Sequence, residues 1–239
     1  MTAPRRLPEK SHCPPMPTTA QRRTHYDDFV QQVINLCKVN GIRADLVSGR
    51  GRPLEDCPRM PEHLTRHILG FGAQRAHYTV ASLIAMQRDL PHEDSPYQPE
   101  LPTTPARAAS IGPYTHPRPA ATAGAPRLSE PAGNQPTPVA WRARPDLGTS
   151  LAIAVARHGL DEAHITRRFK TLTKLGAPLL HPEMWRLTSR LHNRDAARLD
   201  FAVLLEDLAW WDHHHKDIAA RWRTSYFTTL HTLTEQDPA

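Results

Sequence analysis

The sequence predicts an all-α fold, two small helical bundles joined by a long Pro-rich linker. Three observations lead there. Apolar residues recur at three- and four-residue spacings through residues 25–90 and 147–239. No segment sustains period-two alternation with turn chemistry. Residues 91–146 hold thirteen of the 24 Pro without any apolar period, so they read as linker.

Taken in order, residues 1–24 carry five Pro and five Lys or Arg and read as a disordered basic tail. In the N-terminal bundle, residues 25–90, Phe29, Val33, Leu36 and Cys37 define one face of a helix that Asn40-Gly41 ends. Residues 48–58, rich in Gly, Arg and Pro, read as an exposed loop. A second helix starts at Pro61 with Leu64, Ile68 and Leu69 inward. A third covers residues 73–87 with Val80, Leu83, Ile84 and Gln87 in helical period.

In the C-terminal bundle, residues 147–239, Thr149 or Ser150 caps a helix carrying Leu151, Ala154 and Val155 that ends near Gly159. Asp161 caps the next, with Ile165, Phe169, Leu172 and Leu175 on one face, stopped by Gly176 and Pro178. Pro182 suits the first turn of a helix with Trp185, Leu187 and Leu191. Asp200 caps a helix burying Phe201, Leu204, Leu205, Leu208 and one of Trp210 or Trp211. The last carries Ile218, Trp222 and either Tyr226 or Phe227.

Composition excludes several classes. The longest nearly apolar run, Val80 to Met86, is far short of a membrane span, and the Pro and polar residues after Arg5 and Arg6 are not an apolar signal core, so a cytoplasmic location is expected. Cys13, Cys37 and Cys57 lack C-x-x-C spacing and read as free thiols rather than disulfides or a zinc site. Nucleotide-binding loops, nucleophile elbows and zinc-protease signatures are absent, so no catalytic residue, cofactor or metal is assigned. His63 and His67 read as surface or capping residues, consecutive His213, His214 and His215 as a helix junction, and Trp185, Trp210, Trp211 and Trp222 as core. Glu206, Asp207 and Asp212 are the acids a metal-dependent nuclease would need, but no second carboxylate motif accompanies them.

The net charge of +6 is unevenly placed: the tail has five basic residues against one acidic, while the linker and both bundles are nearly balanced. Inside the C-terminal bundle, however, residues 164–198 hold eight Lys or Arg against Glu183 and Asp195. Arg167, Lys170 and Lys174 stand at i, i+3, i+7, and Arg186, Arg190 and Arg194 at i, i+4, i+8, so each set lines one side of its helix as a phosphate-binding face requires. Arg168 belongs to the same stretch, and Arg50, Arg52, Arg66 and Arg75 add further cations. The alternatives left open are solvated helix faces and a helical scaffold whose basic stripes meet acidic protein partners.

The C-terminal bundle resembles the CasB family, the small subunit of the type I-E CRISPR surveillance complex Cascade. The likeness is carried by Gly148-Thr149-Ser150-Leu151-Ala152, Ile165-Thr166-Arg167-Arg168-Phe169 with Leu172, and Trp185-Arg186-Leu187 with Arg190-Leu191. It continues through Leu199-Asp200-Phe201, Leu204-Leu205, Asp207-Leu208, Trp210-Trp211 and Trp222 with Tyr226-Phe227. Looser matches lie at Ser48 to Leu54 and at Phe71-Gly72 to Met86. The resemblance implies a non-catalytic protein present as two copies beside other Cascade subunits, lying along guide RNA and target DNA and helping to hold the displaced strand of the R-loop. The long insert 91–146 departs from the family pattern.

Overall fold

The computed structural model describes residues 17–87, 139–192 and 199–236, without the side chains of Arg190 and His192. The tail before residue 17 and most of the Pro-rich linker lie outside the described residues. Among those described, there are nine α-helices and no strand. The chain divides into a unit of Met1–Leu90 with Trp141–Ala239, which contains every helix, and a unit of Pro91–Ala140 that is almost wholly outside the description.

Helix α1 (Thr19–Leu36) begins earlier than expected because Thr18 and Gln21 form a capping box, the Gln21 N–H donating to Thr18 Oγ1 and the Thr18 N–H to Gln21 Oε1 at 2.8 Å. Asn40-Gly41 does not end it. The chain turns at Cys37, and Asn40 opens α2 (Asn40–Ser48), whose Leu46 is buried. Helix α3 (Met60–Ile68) buries Met60, Leu64 and Ile68, while Leu69, expected inside, is exposed beyond the helix end. The expected loop is only partly open, since Cys57 and Gly51 are buried.

Helix α4 (Gln74–Met86) has ten buried residues in succession, Ala76 to Ala85. A helix buried all round needs neighbours on every side, and α1, α2 and α3 supply only some of them. The rest are α7 (Ala177–His192) and α8 (Phe201–Ala209) from the second sequence segment. The two bundles expected from the sequence thus share one continuous core.

In the second segment Asp146, not Thr149 or Ser150, caps α5 (Leu147–His158), accepting from the Thr149 N–H at 2.9 Å. Helix α5 lies along α9 (Trp211–Gln236) so closely that a Cβ on Gly148 would sit 2.0 Å from the Trp222 carbonyl oxygen. Asp161 and Asp200 cap α6 (Glu162–Leu172) and α8 as the sequence indicates. Helix α7 starts five residues before Pro182, which lies inside it; Pro178, expected as a stop, occupies its first turn, where a missing N–H is harmless. Trp211 and Tyr226 are the buried members of their pairs, and His214, with φ −130°, kinks the start of α9 at the expected junction.

Candidate nucleic-acid interface

The inward face of α6 is Ile165, Phe169 and Leu172, all buried. That stripe turns the intervening positions outward. Arg167 and Lys170 on the helix and Lys174 in the turn after it line one shallow, open depression with Glu162, Thr166 and Thr171. Among the described residues none of the three cations is ion-paired to a carboxylate; Arg167 Nη2 lies 3.4 Å from His164 Nδ1, and the Lys170 ammonium stands 5.6 Å from the centre of the Phe227 ring. Glu162 is the acid of that lining. The i, i+3, i+7 pattern read in the sequence is therefore one basic surface.

Arg168 faces differently. It and Arg186 share a single carboxylate, Glu183, with Arg168 Nη1 at 4.0 Å and Arg186 Nη1 hydrogen-bonded. Two guanidinium groups on one carboxylate leave about one net charge to offer a ligand. Arg194 and the Arg190 side chain lie outside the described residues.

Arg50, Arg52 and Arg75 lie near the start of α7. Arg50, with φ 48°, and Gly51, with φ 69°, make a tight left-handed turn pressed against that helix; a Cβ on Gly51 would sit 2.4 Å from the His181 carbonyl oxygen. Arg50 and Arg52 are exposed on this turn. Arg75 is committed to structure. Pro182 has no N–H to give the carbonyl four residues back, and Arg75 Nη2 donates to that Pro178 carbonyl at 3.0 Å instead. Arg66, on α3, donates from Nε to His67 Nε2 at 2.9 Å on an exposed face.

Two of the three acids weighed for a nuclease, Glu206 and Asp207, are engaged elsewhere. Glu206 accepts from Arg23 Nε at 3.0 Å and Trp141 Nε1 at 2.6 Å. Asp207 accepts from Arg221 Nη2 and from Trp222 Nε1, the latter at 2.6 Å, and burial above all pushes its pKa up to about 6. Asp212 is exposed. His63 Nε2 meets Asp45 at 3.1 Å, whereas His67 meets Arg66, so the two do not share a ligand. Among the described residues no group of three or more His, Cys, Asp or Glu is placed to hold a metal ion, and no helix is long and apolar enough to cross a membrane.

The sequence left one residue of this surface undecided. Phe227 stood as an alternative core residue to Tyr226. The four-residue step from Trp222 to Tyr226 favours Tyr226 for the core, and Phe227 is 43% exposed beside Lys170.

The family model for the CRISPR-associated protein Cse2, another name for CasB, matches residues 42–227, a span that takes in every candidate cation named above. Among solved structures, a chain described as "CRISPR RNA-guided surveillance complex" is similar at 24% identity with a TM-score of 0.62, over 90% of this chain and 98% of that one. A chain described as "CRISPR RNA-guided surveillance complex, pre-nicking" is similar at 26% identity, with the same TM-score of 0.62 and the same coverage of 90% and 98%. No curated protein sequence matches.

Proposed function

Because the chain belongs to the family of CRISPR-associated protein Cse2, we propose that it is a non-catalytic subunit of a CRISPR RNA-guided surveillance complex that grips nucleic-acid backbone through the α6 face. On this reading it joins the other subunits of the complex as two copies and lies along guide RNA and target DNA, and its cations hold the displaced strand of the R-loop. The observation that carries the proposal is the set Arg167, Lys170 and Lys174, three cations free of carboxylate partners among the described residues and lining one open surface. Exchanging a DNA duplex for an RNA–DNA hybrid is close to balanced, so a few backbone contacts are enough to tip R-loop formation. Phosphate contacts position without reading sequence, which fits a surface that carries cations and no base-reading motif. Arg50 and Arg52, exposed at the start of α7, are proposed as further backbone contacts; Arg168 and Arg186 contribute less because they share Glu183.

The test is binding of the full chain to labelled single-stranded DNA over a range of salt. Replacing Arg167, Lys170 and Lys174 by Ala lowers the magnitude of the salt slope by about 2, at about 0.7 per phosphate contact on a single strand, and weakens binding to all sequences alike. Arg157→Ala, on the exposed end of α5, serves as the matched control. If the triple variant keeps the affinity and slope of the parent, the α6 face is not a phosphate surface and an acidic protein partner becomes the better reading.

A further inference from the structure

We infer that Phe227 is a base-stacking platform beside the α6 cations, so that this face takes unpaired nucleotides in preference to duplex. The inference rests on the α6 face being the nucleic-acid surface and adds what that surface recognises. Phe227 is the aromatic member of the exposed large apolar residues among those described, the others being Val39, Leu69, Val139 and Leu179. A single exposed apolar side chain means little. The setting of this one is what matters.

Its orientation is fixed from below. The buried Tyr226 ring meets it edge-on, 5.1 Å between centres and 80° between planes, and Tyr226 is itself held by its hydroxyl, 2.7 Å from Thr166 Oγ1. Thr166 lines the same depression as Arg167, Lys170 and Lys174. The ring therefore stands at the rim of the basic surface, tied to it through one hydrogen bond and one aromatic contact. Lys170 fills the space over the ring with an ammonium 5.6 Å from its centre. That long side chain carries a mobile point charge. On a bound strand it moves to a phosphate, and a base takes its place on the ring. A nucleotide presents an anion beside a flat aromatic surface; Lys170 and Phe227 present a cation beside a flat aromatic surface. Duplex DNA keeps its bases stacked inside and offers the ring nothing, whereas a displaced or frayed strand does.

The experiment compares full-length parent, Phe227→Ala, Phe227→Leu and Phe227→Trp for binding to labelled oligo(dT) and to a mixed-sequence duplex of equal length, by fluorescence anisotropy. Circular dichroism melts accompany each variant. Phe227→Ala and Phe227→Leu are expected to lose about tenfold in affinity for oligo(dT), the stacking of one base, with an unchanged salt slope because no cation is removed and with unchanged duplex affinity. Phe227→Leu keeps the apolar contact with Tyr226, so its loss is not a folding defect, and Phe227→Trp keeps or improves single-strand binding. The stacking role is overturned if the Ala and Leu variants bind oligo(dT) like the parent, or lose duplex affinity to the same degree. A parent protein that shows no salt-dependent binding to either probe overturns the α6 reading itself, and the stacking role with it.

Discussion

His77 on α4 has 0% exposure, and its neighbours hold a proton on its Nδ1. The Ala73 carbonyl can only accept, so Nδ1, 3.0 Å from it, carries the proton. Nε2 is then an acceptor and faces His25 Nε2 at 3.0 Å; protonating both rings would set two N–H groups against each other. Phe29 stands edge-on to His77 at 4.8 Å, and Phe71 stacks flat on His25 at 3.6 Å, so apolar rings flank the pair. Burial foremost lowers the His77 pKa to about 4 from 6.5, against the opposing pull of the Ala73 bond and with a further push from His25.

The consequence is a loss of stability in acid. Between pH 6.5 and 4 the unfolded chain binds a proton that folded His77 refuses, so unfolding becomes easier as pH falls, by about 2 kcal/mol between about pH 7.5 and about pH 5. Buried His181, whose Nδ1 lies 2.8 Å from Thr79 Oγ1, is lowered to about 4 by burial and then by Arg75, and adds about 2 kcal/mol in the same direction. Asp207 works the other way. Its pKa, raised from 3.8 to about 6, lets the folded state bind a proton first, which restores about 1 kcal/mol by about pH 5. His25, lowered to about 4 by burial foremost, acts in the same direction, so the expected net loss is about 3 kcal/mol or more. Urea unfolding followed by fluorescence of the buried Trp211 and Trp222 measures it. His77→Gln removes one of the large contributions, so its stability declines with acid by about 2 kcal/mol less than the parent's, whatever its stability at neutral pH. Parallel pH profiles for parent and variant would refute the reasoning.

Two further outcomes follow from the packing of α5, α8 and α9. Asp207→Ala leaves the buried Trp222 indole N–H without its acceptor, while the exposed Arg221 guanidinium keeps Asp146 at 3.8 Å, and costs about 2 kcal/mol in urea unfolding; a change under about 1 kcal/mol would contradict the structural role and reopen a catalytic one. Gly148→Ala drives a methyl toward the Trp222 carbonyl, 2.0 Å away, and separates α5 from α9 at a cost of about 2 kcal/mol; a melting temperature equal to the parent's would show that the two helices are not so closely apposed.

Much of this was legible locally. Asp161 and Asp200 declare the starts of α6 and α8 because a cap is a short-range interaction, and the apolar stripe of α6 fixes which way Arg167, Lys170 and Lys174 turn. The capping box of Thr18 and Gln21 was equally local and gave α1 its true start. Other features depend on partners far along the chain. Asn40-Gly41 reads as a helix stop, yet burial of Leu46 against α4 makes it the start of α2. The ten-residue buried run of α4 makes sense only once α7 and α8 cover it. The same holds for the site. The sharing of Glu183 by Arg168 and Arg186 joins α6 to α7, and the commitment of Arg75 to the Pro178 carbonyl joins α4 to α7, so spacing along one helix gives no hint of either.

The most direct test of the account is made in the assembled complex. A surveillance complex reconstituted with the Arg167→Ala, Lys170→Ala, Lys174→Ala chain is loaded on a matched target, and the lifetime of the R-loop is followed by protection of the displaced strand from a single-strand probe. The account predicts that the variant chain is incorporated as the parent is and that the R-loop decays several-fold faster, with the difference shrinking as salt rises because the lost contacts are ionic. An R-loop lifetime equal to the parent's, with the variant chain fully incorporated, would contradict it.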